Sequence, residues 1–133
     1  MPLVRVSLLK GKSPEYIQAL SDGIYRALVD SYEMAENDLF QIFEQLDPGT
    51  LLFDRHYGAG PRSDDFMIIT IKSGARSAAV KQALMTAIVT NLAVAPGVRP
   101  EDVFIMLQVN SQPEDFSFGG GISAAQLALG PAK

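Results

Sequence analysis

Few kinds of side chain are available to do chemistry in this 133-residue chain. It has no cysteine, which excludes a disulfide, a thiolate nucleophile and a cysteine-held zinc. His56 is the single histidine, so multi-histidine metal sites are excluded and any Ser-His-Asp arrangement would depend on that imidazole. Carboxylates, arginines, tyrosines and the chain's own amine remain. Lys12 and Arg76 each stand one residue before a serine that opens a helical pattern. A cation there opposes the helix dipole. Either it grips an anion together with helix N–H groups, or it is a solvated loop side chain. Asp38 and Asp102 each stand just ahead of a strand-like run, where an aspartate also serves simply as a turn or strand-entry residue. In "DFSFGGG", Phe116 and Phe118 flank Ser117 and read as a short edge strand or turn packing two rings. The glycines lack G-x-G-x-x-G or Walker spacing and are weak evidence for a phosphate loop. His56 and Tyr57 read as surface or subunit-contact residues, with substrate contact as the alternative. Arg62 in "PRSDD" is expected to pair with Asp64 or Asp65 or to close a loop.

The elements that must position these groups follow from periodicity. Leu3 to Leu9 alternates as a strand, preceded by Pro2, a residue that cannot donate to a ladder and is tolerated at a strand start. Ser13 and Pro14 are an N-cap and first helical residue, and Ile17, Leu20, Ile24, Ala27 and Leu28 form one buried stripe. "LFQIFEQL" is a second strand, and "DPGT" a turn. The order then repeats: "FMIITIK" is a strand, the segment from Ser77 to Val94 a helix striped by Val80, Leu84, Ile88 and Leu92, and "VFIMLQV" a strand. A gapless shift of 64 residues lays Ser13 on Ser77, Leu3 on Met67, Pro2 on Phe66, Asp38 on Asp102 and Leu39 on Val103. The expected fold is α+β: duplicated βαβ units forming a four-stranded mixed sheet with two helices on one face. One domain spans 1–133, with repeats at about 2–46 and 66–110 and a tail at 111–133. The other sheet face also reads as apolar, which calls for burial against another subunit.

Composition narrows the partners. A net charge of −4 with scattered basic residues disfavours nucleic acid. No apolar run reaches the roughly 18 residues of a membrane span, and Arg5, Lys10 and Lys12 interrupt any signal-peptide core. A cytoplasmic protein is expected.

The segments "MPLVRVSL", "SPEYIQALSDGIYRALV", "ENDLFQI", "RSDDFMIITI", "GARS", "VRPEDVFI" and "DFSFGGG" together resemble the tautomerase superfamily, in particular its longer, malonate semialdehyde decarboxylase-like branch. The resemblance covers nearly the whole chain and fades after about Ala125. It implies a homotrimer of duplicated βαβ protomers acting on a small carboxylate substrate without a cofactor. By the same resemblance Pro2, freed by removal of Met1, is the catalytic amine, its pKa drawn toward neutrality by an apolar site and a nearby guanidinium. Arg76 falls where the family grips the substrate carboxylate, and Asp38 where an acid activates water or positions the amine. Phe116 and Phe118 fall in an apolar wall, although the family more often has tryptophan at the first. The decarboxylase pattern has a further arginine where this chain has Gly74. Tautomerisation of an oxo or enol carboxylate is therefore the expected activity. The alternatives are a malonate semialdehyde-type decarboxylase or hydratase, and a non-catalytic trimeric binding protein of the same fold.

Overall fold

A computed structural model describes residues 1–109 and 111–129; Asn110, the expected end of the second repeat, and the tail's last residues, 130–133, lie outside the described residues. The main elements are β1 (Leu3–Leu9), α1 (Pro14–Ser31), β2 (Gln41–Leu46), β3 (Met67–Lys72), α2 (Ala78–Val94) and β4 (Val103–Gln108), followed by a short α3 (Ala124–Leu129). The four strands lie in the order β2-β1-β3-β4. Each βαβ unit is a parallel pair, and the units join where β1 runs antiparallel to β3. This is the duplicated, mixed sheet expected from the sequence.

Both long helices start as the sequence dictates: the hydroxyls of Ser13 and Ser77 accept the N–H groups of Tyr16 and Val80, satisfying donors that the first turn leaves unpaired. The stripe Leu20, Ile24, Ala27 and Leu28 on α1 and Leu84, Ile88 and Leu92 on α2 meets Val4, Val6, Leu8, Met67, Ile69 and Ile71 of the central strands in one core. Each of these large side chains contributes roughly 1.5–3 kcal/mol by burial. At Gly23 the helices approach so closely that a Cβ would stand 2.9 Å from Leu92 Cδ2, and Asn91 Nδ2 donates to the Gly23 carbonyl at 3.0 Å.

Two sequence expectations need correction. The helices repeat at 64 residues, but the first strands of the two units do not: buried Pro2, Val4, Val6 and Leu8 match buried Met67, Ile69, Ile71 and Ser73, a shift of 65, so Leu3 does not overlie Met67. Val4 pairs with Gln41 and Ile69 with Ile105, so the outer strands keep the shift of 64 and Asp38 stays on Asp102. The connections after the helices match as well: the N–H groups of Met34 and Val98 donate to the carbonyls of Leu28 and Leu92, and Glu33 (φ 59°) and Gly97 (φ 104°) are both left-handed. The open sheet face is also not uniformly apolar. Ile42, Phe104 and Met106 are exposed there, but a polar band crosses its middle, with Arg5 Nη1 3.1 Å from Glu44 Oε2 and Ser7 donating to Glu44 at 2.9 Å.

Candidate active site

The chain's amine lies at one end of the sheet. Pro2 is buried, and its missing N–H costs nothing because the strand's first anchoring bond comes later, from Val4 N–H to the Phe40 carbonyl at 3.0 Å. Ahead of it, the Met1 ammonium stands 3.1 Å from Asp38 Oδ2, with the side chains 14% and 19% exposed respectively. The α1–β2 connection brings Asp38 there: the Asn37 N–H donates to the Tyr25 hydroxyl at 2.9 Å, fixing the backbone just before the aspartate. Met1, Leu3, Phe40, Phe116, Ser117 and Phe118 enclose a cavity of about 310 Å³. Phe118 sits between the other rings, 5.9 Å from Phe40 and 5.4 Å from Phe116. The tail is folded back by a bridge between Ser117 and Ser123, and the turn it spans needs Gly120 and Gly121 at φ +71° and +75°. Met1, Asp38, Phe116 and Phe118 are therefore gathered at one place.

Arg76 is held nearby in the fold but not among the cavity's walls. The register Leu3↔Lys72 puts the residues after β3 at the same sheet end as the N-terminus. The Arg76 Nε donates to the Tyr32 carbonyl at 3.1 Å and faces Glu33 Oε1 at 3.3 Å, while Nη1 donates to the Ala75 carbonyl at 3.0 Å. Its guanidinium lies 4.7 Å from the centre of the Tyr32 ring. A Cβ at Gly74 would stand 3.7 Å from Arg76 Nη1, so the position of the absent arginine adjoins this one.

The remaining candidates have structural partners. Asp102 is fully buried and accepts the Ser63 N–H at 2.7 Å and the Ser63 hydroxyl at 2.6 Å, tying the 51–66 linker to the start of β4. Arg62 closes the linker by donating to the Asp54 carbonyl at 2.9 Å; Asp64 instead pairs with Arg55, at 2.7 Å. His56 and Tyr57 are exposed, and their N–H groups bond Asp54, holding its carboxyl below the usual range. A larger groove of about 520 Å³ runs between α1 and β2 past Lys12, Gln41 and Gln45. Its polar groups are already committed: Lys12 to Asp65, Gln41 to Ser21, and Gln45 to the amides of Gly11 and Lys12. No three His, Cys, Asp or Glu residues converge as metal ligands among the described residues. Sequence reasoning missed Phe40, Tyr32 and Glu33. Phe40 reads in the sequence only as a strand residue, and nothing in the sequence shows that the two residues after α1 fold against Arg76.

Residues 38–119 match one family model described as a tautomerase enzyme, and residues 2–63 match another of the same description. The chain belongs to the tautomerase family. It is 37% identical over 123 residues to the probable tautomerase YusQ of Bacillus subtilis (strain 168), covering 91% of this chain and 95% of that relative. Two solved malonate semialdehyde decarboxylases share this tautomerase's fold. One has a TM-score of 0.87 at 28% identity, over 95% of this chain and 96% of that one. The other, inhibited by 3-bromopropiolate, has a TM-score of 0.84 at 32% identity, over 96% and 95%. The protein is an enzyme of the tautomerase type.

Proposed function

We propose that the chain, once Met1 is removed, uses the secondary amine of Pro2 as general base and acid to interconvert enol and oxo forms of a small carboxylate. The observation that carries this is the terminal amine held against Asp38 at the mouth of an aromatic cavity. Removing Met1 enlarges that cavity and makes Pro2 the terminus. With Met1 in place the Pro2 nitrogen is an amide and cannot accept a proton. Neutral Pro2 takes a proton from the enol hydroxyl or the α-carbon and returns it to the other position. Arg76 draws in the carboxylate and offsets the charge that develops on the dienolate. Asp38 positions the amine, and Phe116 and Phe118 exclude water. No cofactor takes part. The open sheet face, with Ile42, Phe104 and Met106 exposed, is covered in a homotrimer in the cytoplasm.

Intact-mass measurement, followed by ketonisation of a 2-hydroxy-2,4-dienoate or an arylenolpyruvate, tests this reading. Loss of Met1 and a fall on the order of hundredfold or more in kcat for Pro2→Ala are expected. A retained Met1, or wild-type turnover in Pro2→Ala, refutes it. A second reading is favoured by the likeness to the two decarboxylases: protonated Pro2 polarises the carbonyl of a 3-oxo acid. Carbon dioxide release from 3-oxopropanoate separates the two, and Gly74 in place of the further arginine favours the first.

A further inference from the structure

We propose that Tyr32 is a positioning residue for the carboxylate-binding guanidinium, acting through three contacts at once. Its ring lies under the Arg76 guanidinium at 4.7 Å, and its carbonyl accepts Nε at 3.1 Å. Its hydroxyl is 2.7 Å from Ser73 Oγ. The Ser73 hydroxyl donates its only proton to the Gly74 carbonyl at 3.0 Å, so Tyr32 is the donor in the pair with Ser73. A relay runs from Tyr32 through Ser73 to the backbone two residues before Arg76. Tyr32 and Ser73 are both fully buried, and Tyr32 also caps α1, its N–H donating to the Leu28 carbonyl at 3.0 Å. A buried donor chain of this kind is rigid, because breaking any member strands a desolvated polar group. The loop that carries Arg76 is thereby clamped to the end of α1, and the guanidinium is oriented before substrate arrives. Glu33, in left-handed backbone beside Tyr32, faces Nε, and the Ala75 carbonyl accepts from Nη1, so among the described residues Nη2 is the nitrogen left to meet a carboxylate.

This inference rests on the reading of Arg76 as the carboxylate anchor, and the test separates the two. Wild type, Tyr32→Phe, Ser73→Ala and Arg76→Ala are compared in ketonisation of an arylenolpyruvate and of its methyl ester, with thermal unfolding measured in parallel. Tyr32→Phe keeps the ring and removes only the relay donor. It is expected to raise KM for the acid about three- to tenfold, the loss of roughly one hydrogen bond's worth of orientation, while kcat changes less than KM and the ester is unaffected. Ser73→Ala should show the same split. If Arg76→Ala raises KM for the acid while Tyr32→Phe and Ser73→Ala do not, Tyr32 has no positioning role. Equal losses for acid and ester that follow the fall in Tm also overturn it, marking Tyr32 as a core residue only. If Arg76→Ala itself leaves KM for the acid unchanged, the carboxylate assignment is what fails.

Discussion

Replacing Asp102 by alanine is expected to cost this protein stability, whereas replacing Asp38 by asparagine costs activity. The two residues coincide in a gapless overlay of the repeats, yet their surroundings differ. Asp102 is fully buried and accepts two short bonds from Ser63, with Arg99 Nε 3.7 Å away. Hydrogen bonds to a charged group contribute roughly 1.5–3 kcal/mol each, and removing the acceptor strands both Ser63 donors, so about 3–5 kcal/mol should be lost. For a chain of this length that is a fall in Tm of roughly 10–20 °C. Asp38 has a single ion pair, to the terminal amine, and removal of Met1 already alters that contact. Asp38→Asn should therefore shift stability by less than about 1 kcal/mol while lowering kcat. The assay is urea and thermal unfolding at fixed protein concentration, since assembly would otherwise contribute to the apparent stability, with turnover measured well below the lower Tm. The reasoning fails if Asp102→Ala unfolds within about 1 kcal/mol of wild type, or if Asp38→Asn is destabilised as much as Asp102→Ala.

Ile88→Ala opens a cavity in the shared core, where Ile88 is fully buried, and should cost about 2–5 kcal/mol by denaturant unfolding. Gly60→Ala places a Cβ 2.5 Å from the Arg55 carbonyl at φ +155°. A cost of roughly 1–3 kcal/mol, read as a lower urea midpoint, is expected. Tyr16 should titrate late in an ultraviolet difference titration, its pKa pushed up to about 12 by burial first and then by the charges of Asp65 and Asp102. Because the folded state holds this proton more tightly than the unfolded chain, the stability Tyr16 contributes is intact below pH 10.0 and is lost as pH rises from there to about 12. A Tyr16 titration at the ordinary tyrosine value would contradict its burial.

The sequence revealed most where one residue determines the local outcome. Ser13 and Ser77 cap helices because their hydroxyls can reach the N–H three residues on, and the Leu20–Ile24–Leu28 and Leu84–Ile88–Leu92 stripes are buried because helical periodicity leaves them on one face. The strands are less legible. A one-residue slip moves every side chain to the opposite face, and a gapless overlay at 64 residues hides that slip because Leu3 and Val4 in β1, and Met67, Ile68 and Ile69 in β3, are all apolar. The polar band at Arg5, Ser7 and Glu44 becomes visible only when β1 and β2 are paired, since no one of the three is unusual in its own strand. Phe116 and Phe118 could be read as a packing pair. Phe40, their third ring, could not, because it meets them only through a tail that follows the second repeat and has no counterpart after the first.

That inequality between the halves bears on how many sites a protomer holds. Duplication builds two similar ends, each with a cation one residue before a helix-capping serine: Arg76 before Ser77, and Lys12 before Ser13. At the strand shift of 65 the residue matching Pro2 is Met67, inside β3, and Lys12 forms an ion pair with Asp65, its ammonium also lying 4.9 Å from the centre of the Tyr16 ring. The second end thus offers no chain amine, and an acid there neutralises the cation an anionic substrate would need. At the Arg76 end the acid comes instead from Glu33 and meets only Nε. Freeing Lys12 by Asp65→Ala would restore a cation but supply no amine. Tight-binding inhibitor titration should therefore find one site per chain in wild type, and still one in that variant. A second equivalent would mean that the Lys12 end is a working site.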